Sequence, residues 1–332
     1  MSLSVDTRLP EYADVAGAAD TLLGRAVRTP LLESPALNDR LGCRLLVKAE
    51  PLQRTGSFKF RGAFNRLSWL DDEQRAAGVV AYSSGNHAQG VAAAASLLGV
   101  KATIIMPEDA PALKIENTRN FGAEVRLYDR KNENREAIGE NLSQRTGAVL
   151  VRPYDDPDII AGQGTVGLEV CAQAAERDLQ LDALLVPAGG GGLIAGCAIA
   201  CAEDSPNTQV YCAEPEGFDD TARSLAAGRH VENDPDATSI CDALLAPTPG
   251  ELTFTINRVL LAGGLVVNEQ EVAAAMRVAF RELKLVVEPG GAVTLAALLS
   301  GKYNGDGKTV AVVFSGGNVD PGLFARILAE GD

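Results

Sequence analysis

The sequence predicts an α/β protein in which one chain builds two mostly parallel sheets. Two observations carry this. Short β-rich runs alternate with helical-period runs along most of the 332 residues, in two separate series. Glycine-marked loops also fall at strand-to-helix junctions, where such sheets place their sites. In chain order, residues 11–25 read as a helix, 28–31 as an extended approach and 45–50 as a strand. A helix then begins near Lys59, with Phe60, Phe64 and Leu67 on one face. The first series has strands at 79–82, 102–106, 124–128 and 148–151, with helices at 87–98, 112–121 and 134–146 between them. The second runs helix 165–176, strand 183–186, helix 193–202 and strand 210–213. It ends with strand 265–268, helices 269–283 and 291–299, and strand 310–314.

Composition bounds the function. The chain is 46% hydrophobic and 22% charged, an ordinary globular balance, and long enough for roughly two domains. A net charge of −14 argues against a nucleic-acid or anionic-membrane partner. Six cysteines without CxxC spacing read as small core residues of a reducing compartment. Nothing at the start reads as a secretory leader, and no apolar run reaches membrane-spanning length. The expectation is a cytoplasmic protein that acts on a small molecule.

The stretch Thr55-Gly56-Ser57-Phe58-Lys59-Phe60-Arg61-Gly62-Ala63 puts Lys59 in the first turn of a helix, between phenylalanines. The helix dipole and burial both favour its neutral amine, a nucleophile toward aldehydes. The alternative is a stem that packs while its head reaches water. Ser83-Ser84-Gly85-Asn86-His87 offers hydroxyls, an amide and free helix N–H groups to an anion such as a carboxylate, or simply caps a surface helix. In Gly189-Gly190-Gly191-Gly192 successive backbone N–H groups can converge on a phosphate. A rival reading takes Gly190 to Ala195 as a dinucleotide fingerprint, with Glu214 as its acidic residue. In the third loop, Phe314-Ser315-Gly316-Gly317-Asn318, Ser315 is either a partner for a heterocycle nitrogen or a turn residue.

Together with Ile160-Ala161-Gly162-Gln163-Gly164-Thr165, these motifs resemble the fold type II (β-family) pyridoxal-phosphate enzymes, and among them the serine/threonine dehydratases and serine racemases. The resemblance runs from Arg28 to Asn318. It implies two domains, each an open twisted mostly parallel sheet flanked by helices. Residues 1–78 and 155–332 would form the large cofactor-binding domain, and 79–154 a small mobile one. It implies that Lys59 carries pyridoxal 5'-phosphate and that Gly189, Gly190, Gly191 and Gly192 hold the phosphate. Asn86 would bond the phenolic oxygen, Phe58 pack near the ring and Ser315 face the pyridine nitrogen. Ser83, Ser84 and His87 would meet the substrate carboxylate, with Ser84 opposite Lys59. The implied reaction is β-elimination from serine, threonine or 3-hydroxyaspartate, giving a 2-oxo or imino acid and ammonia. Racemisation is the alternative; a non-catalytic cofactor-binding protein or an NAD-binding oxidoreductase is more remote.

The resemblance further implies a homodimer and a divalent cation (Mg²⁺, Mn²⁺ or Ca²⁺) held by Glu214, the Phe218 carbonyl and Asp220. The last would lie in a loop after the strand; the alternative is a solvated acidic loop. Arg135 matches a position near the far end of bound diacids in serine racemases. Two departures stand out: Arg152 replaces a common histidine, and Cys241-Asp242-Ala243 replaces Ala-Asp-Gly.

Overall fold

The computed structural model describes residues 8–83, 85–110 and 112–331. Helix α1 (Tyr12–Leu22) starts at a reciprocal cap between Glu11 and Asp14. Strand β1 (Leu31–Glu33), helix α2 (Pro35–Leu41) and strand β2 (Arg44–Ala49) lead to helices α3 (Lys59–Ser68) and α4 (Asp72–Ala77). The chain then alternates regularly: β3 (Val79–Tyr82), α5 (Asn86–Leu98), β4 (Ala102–Pro107), α6 (Ala112–Asn120), β5 (Glu124–Tyr128), α7 (Arg135–Thr146) and β6 (Val149–Leu150). These four strands pair in the order β5-β4-β3-β6, all parallel.

Helix α8 (Pro157–Ala175), β7 (Ala183–Pro187), α9 (Gly192–Asp204), β8 (Gln209–Pro215) and α10 (Asp220–Ala227) follow. Helix α11 (Glu251–Leu260), β9 (Gly263–Val267), α12 (Glu269–Val278), α13 (Pro289–Leu299), β10 (Thr309–Phe314) and α14 (Pro321–Ala329) complete the chain. The second sheet has six strands in the order β1-β2-β10-β7-β8-β9, with β1 antiparallel to β2 and the rest parallel.

Alternation along each strand divides the core into layers. Leu45, Val47, Val310 and Val312 face the side of α12 and α13, whereas Leu46, Ala311 and Val313 face α8 and α9. In the four-stranded sheet, Val79, Ala81 and Ile104 pack toward α3 and α5, and Val80 and Ile105 toward α7. The carboxyl ends of β7 and β10 lie near that of β3, with a cavity between.

Three expectations need correction. Helix 165–176 begins earlier, at Pro157 behind the N-cap Asp156. Positions 162 and 164 inside it are glycine because neighbours leave no room for a side chain: a Cβ on Gly162 would lie 2.7 Å from the Arg61 carbonyl, and one on Gly164 2.8 Å from that of Gly196. The helix 269–283 changes at Ala279 to a π-helical turn, ended by Lys284 at φ 58°. Asp220 is not in a loop but opens α10, with Asp219 before it.

Candidate active site

A cavity of about 220 Å³ joins residues from both sheets, among them Lys59, Asn86, Glu288, Ser315 and the glycine loop. Lys59 is the first residue of α3, and its Nζ donates to the Pro153 carbonyl at 2.6 Å. The amine also stands 5.0 Å from the centre of the Phe58 ring. Burial pushes it down to about 7, so near neutral pH a large fraction is uncharged.

Arg61, two residues on and buried, holds this helix start in place. It pairs with Glu50 at 2.8 Å and Glu169 at 2.7 Å, and buried Lys48 pairs with Glu169 at 2.6 Å. Two cations and two carboxylates thus balance, with only Glu169 partly reached by solvent.

After β7, the four glycines turn into α9. Gly191 has φ 89° and precedes the first helical residue, Gly192. The loop admits no side chain: a Cβ on Gly191 would lie 2.9 Å from Asn257 Nδ2, and one on Gly190 2.4 Å from the Tyr154 ring. The Thr253 hydroxyl donates to the Gly190 carbonyl at 2.7 Å, and Asp155 caps the backbone of Leu252 at 2.9 Å.

Asn86 begins α5. Its Nδ2 donates to Glu288 Oε1 at 2.6 Å, and its Oδ1 accepts from Asn318 Nδ2 at 2.8 Å. His87 is 3% exposed, and its Nε2 faces the Val151 carbonyl at 3.1 Å. That carbonyl can only accept, so Nε2 carries the proton. Burial, and then the Lys59 charge, push the ring down to about 3. Nδ1 is left a bare acceptor, a poor partner for a carboxylate; the His87 backbone N–H, in the first helical turn, is the better donor. The Ser83 hydroxyl accepts from Gly85 N at 3.2 Å. Ser84 lies outside the described residues.

Three cations line the cavity from the elements of the four-stranded sheet: Lys114, Arg130 and Arg135. Arg135 opens α7 with its guanidinium 5.7 Å from the Tyr82 ring centre. Lys114 is ion-paired with Asp242, which joins the two sides at the cavity mouth.

The chain matches the family described as "Pyridoxal-phosphate dependent enzyme" over residues 23–316. It belongs to that family. An L-threo-3-hydroxyaspartate ammonia-lyase of Pseudomonas sp is 46% identical over 97% of this chain and 99% of its own length. A serine racemase of Schizosaccharomyces pombe is 39% identical over 97% and 98% respectively. Among solved structures, maize serine racemase superposes with a TM-score of 0.90, at 38% identity over 97% of this chain and 98% of that one.

The cavity of this pyridoxal-phosphate enzyme suits the cofactor. A loop stripped of side chains at the start of α9 can receive a phosphate on backbone N–H groups. The Ser315 hydroxyl, in a residue 3% exposed, makes no hydrogen bond among the described residues and can meet a ring atom. The dinucleotide reading fails on Glu214. Its residue is 0% exposed, and its oxygens accept from Thr221 N at 3.0 Å and Ala222 N at 2.8 Å, so no ribose can reach it.

Among the described residues no group of three His, Cys, Asp or Glu side chains gathers as a metal site. The expected set contains only two, so a third ligand would have to be a carbonyl. Both carboxylates are 0% exposed. Glu214 is pushed up to about 8 by burial and then by Asp220, and Asp220 to about 6, chiefly by burial. Asp220 Oδ2 is buried with no hydrogen-bond partner, and Arg223 of the same helix pairs with Asp219 instead. Asp220 Oδ1 accepts from Asn233 Nδ2 at 2.7 Å and both Glu214 oxygens take backbone N–H groups, so Asp220 Oδ2 is the carboxylate oxygen left for a hard cation.

Sequence reasoning missed Glu288, Tyr154 and the Lys114–Asp242 pair. Only Glu288 left a local signal, a carboxylate closing the apolar run Leu285-Val286-Val287.

Proposed function

We propose that this protein is an ammonia-lyase that removes the β-hydroxyl of a small β-hydroxy amino acid, with the diacid 3-hydroxyaspartate preferred over serine and threonine. The observation that carries the preference is Arg135, which lines the cavity that holds the Lys59 amine; Lys114 and Arg130 line it too but pair with Asp242 and Asp109. The activity of the Pseudomonas relative agrees with it.

In this reading the glycines 189–192 and the α9 dipole would hold the phosphate, with Phe58 packed near the ring and Ser315 at the pyridine nitrogen. Bound pyridoxal phosphate supplies a sink for the electron pair left at the substrate α-carbon. A hydroxyl at Ser315, unlike a carboxylate, leaves that sink modest, which suits prompt loss of the β-hydroxyl. Ser83, Ser84 and the free N–H groups of α5 take the substrate α-carboxylate, and Arg135 takes the distal one. The Lys59 amine accepts the α-proton on Nζ, helped by its lowered basicity. The proton held on Lys59 Nζ can then pass to the β-hydroxyl, which leaves as water, and the released enamine takes up water to give a 2-oxo acid and ammonia. Residues 79–154 act as a small domain that closes through Asn86–Glu288 and Lys114–Asp242 and excludes water. Glu214, Asp220 and the Phe218 carbonyl bind a divalent cation, and the active form is a homodimer. Among the described residues no helix is long and apolar enough to cross a membrane.

The test is a substrate panel of serine, threonine and both 3-hydroxyaspartate diastereomers, scored for 2-oxo acid and for chirality. Losing a buried partner of a charge costs about 2–5 kcal/mol. Arg135→Ala should therefore lower kcat/KM for 3-hydroxyaspartate by at least about 30-fold and largely spare serine and threonine. Equal losses on all substrates would remove Arg135 from recognition of the diacid. Racemisation faster than 2-oxo acid formation in the unmutated protein would overturn the lyase reading.

Chelation should lower the melting temperature, and added Mg²⁺, Mn²⁺ or Ca²⁺ should restore it. A cation at about 100 times its Kd contributes about 2.7 kcal/mol, a shift of several degrees. An unchanged melt after exhaustive chelation would mean the two carboxylates hold no ion.

A further inference from the structure

Glu288 is a carboxylate to which the proposed reaction gives no part beyond its closing contact with Asn86. It is 1% exposed and lines the cavity, at the N-cap of α13. Oε1 accepts from Asn86 Nδ2 at 2.6 Å, while Oε2 is buried with no hydrogen-bond partner. The fold makes room for it, since a Cβ on Gly316 would lie 2.3 Å from Oε1. The Glu288 backbone N–H in turn donates to the Gly316 carbonyl at 3.1 Å. The carboxyl is therefore wedged between the Asn86 amide and the Ser315–Gly316 segment, the two places assigned to the phenolic oxygen and the pyridine nitrogen of the cofactor ring. Leaving a buried carboxylate oxygen unbonded is costly, so the site is built for a partner or a proton.

We propose that Glu288 is a positioning residue for the reaction: it fixes the Asn86 amide against the ring and holds a titratable proton beside it, setting the charge there. This rests on the cofactor placement proposed above. The Asn86 amide is clamped at both ends, since Asn318 donates to its Oδ1 and also to the Thr55 carbonyl at 2.8 Å. With Oδ1 occupied and one Nδ2 hydrogen given to Glu288, the other Nδ2 hydrogen remains for the cofactor.

The groups that face Glu288 define its response. Burial pushes it up to about 7; Asp242 adds to this, and the Lys114 charge and then the Asn86 donation oppose it. Lys114 comes from α6, Asp242 from the turn after Cys241 and Asn86 from α5, while the Ser315–Gly316 segment brings no charge. The raised value means that the carboxyl is neutral below about pH 7 and negative above it. The Lys114–Asp242 ion pair at the cavity mouth thus bears on the charge beside the ring.

The experiment is a pH titration of the visible absorbance of the holoenzyme, from about pH 5.5 to about pH 8.5. The wild type should show a change in band position or intensity centred in the neutral range. Glu288→Gln, which can still accept from Asn86, should keep the cofactor and lose the change. Asp242→Asn should move the midpoint down, and Lys114→Met should move it up. Glu288→Ala, which leaves Asn86 unclamped, should raise the cofactor dissociation constant about tenfold or more. The same transition in Glu288→Gln as in the wild type, or none in the wild type, would overturn the proposal. If Glu288→Gln fails to fold by circular dichroism, the opposite shifts in the other two variants decide: midpoints that stay put overturn it. A protein with no lysine-linked absorbance at all would instead refute the cofactor placement on which it rests.

Discussion

Lys59→Ala is expected to abolish turnover and the borohydride-sensitive colour of the holoenzyme together. In the proposed reaction the amine would serve both as the attachment point for the cofactor aldehyde and as the acceptor of the α-proton. Proton transfer alone contributes about 10²–10⁴-fold, so a combined loss beyond about 10³-fold is expected. A pH dependence accompanies it. A lysine lowered to about 7 from its ordinary 10.5 is mostly neutral above that lower value. Capture of pyridoxal phosphate by the apoprotein should therefore speed up as pH rises through about 7 and then level off. A rate that keeps climbing toward the ordinary lysine range would mean that burial does not tune this amine. Undiminished activity in Lys59→Ala would sink the functional reading.

Gly191→Ala should empty the site by a different route. At φ 89° any side chain is strained, and its Cβ would stand 2.9 Å from Asn257 Nδ2 and 3.0 Å from Thr253 Oγ1. Strain of about 1–2 kcal/mol adds to overpacking of about 1–3 kcal/mol. Because the loop is the proposed phosphate seat, the cofactor dissociation constant should rise by about 10- to 1,000-fold, measured by equilibrium dialysis. Gly190→Ala should do the same by displacing the Tyr154 ring. Wild-type cofactor affinity in both variants would move the phosphate elsewhere.

What the sequence made legible was local. A lysine between phenylalanines at a helix start, a loop of four glycines, and strands alternating with helices each declare themselves within a short window. Glu288 does not, because its meaning depends on Asn86, 202 residues away. Lys114 and Asp242 are 128 residues apart. Helix α8 hid its first turns for a related reason: its glycines read as breakers until the helices packed on them are in view. Helix α14 carries a plain start signal, Asp320 accepting from Leu323 N with Pro321 next. That signal sits directly behind the third glycine loop, whose turn residues mask it. The carboxylates at 214 and 220 were readable as a pair, but their burial and repulsion were not.

The order of strands also bears on how the polypeptide assembles. Strand β10 lies between β2 and β7, pairing residues 309–314 with 44–49. While the chain is being made, β2 and β7 keep bare edges until residue 314 has emerged, and bare edges invite pairing with other chains. The four-stranded sheet needs only residues 79–150 and can close long before that. The slow step of folding should thus be insertion of β10, and a nascent chain halted before it should be the form most in need of a chaperone.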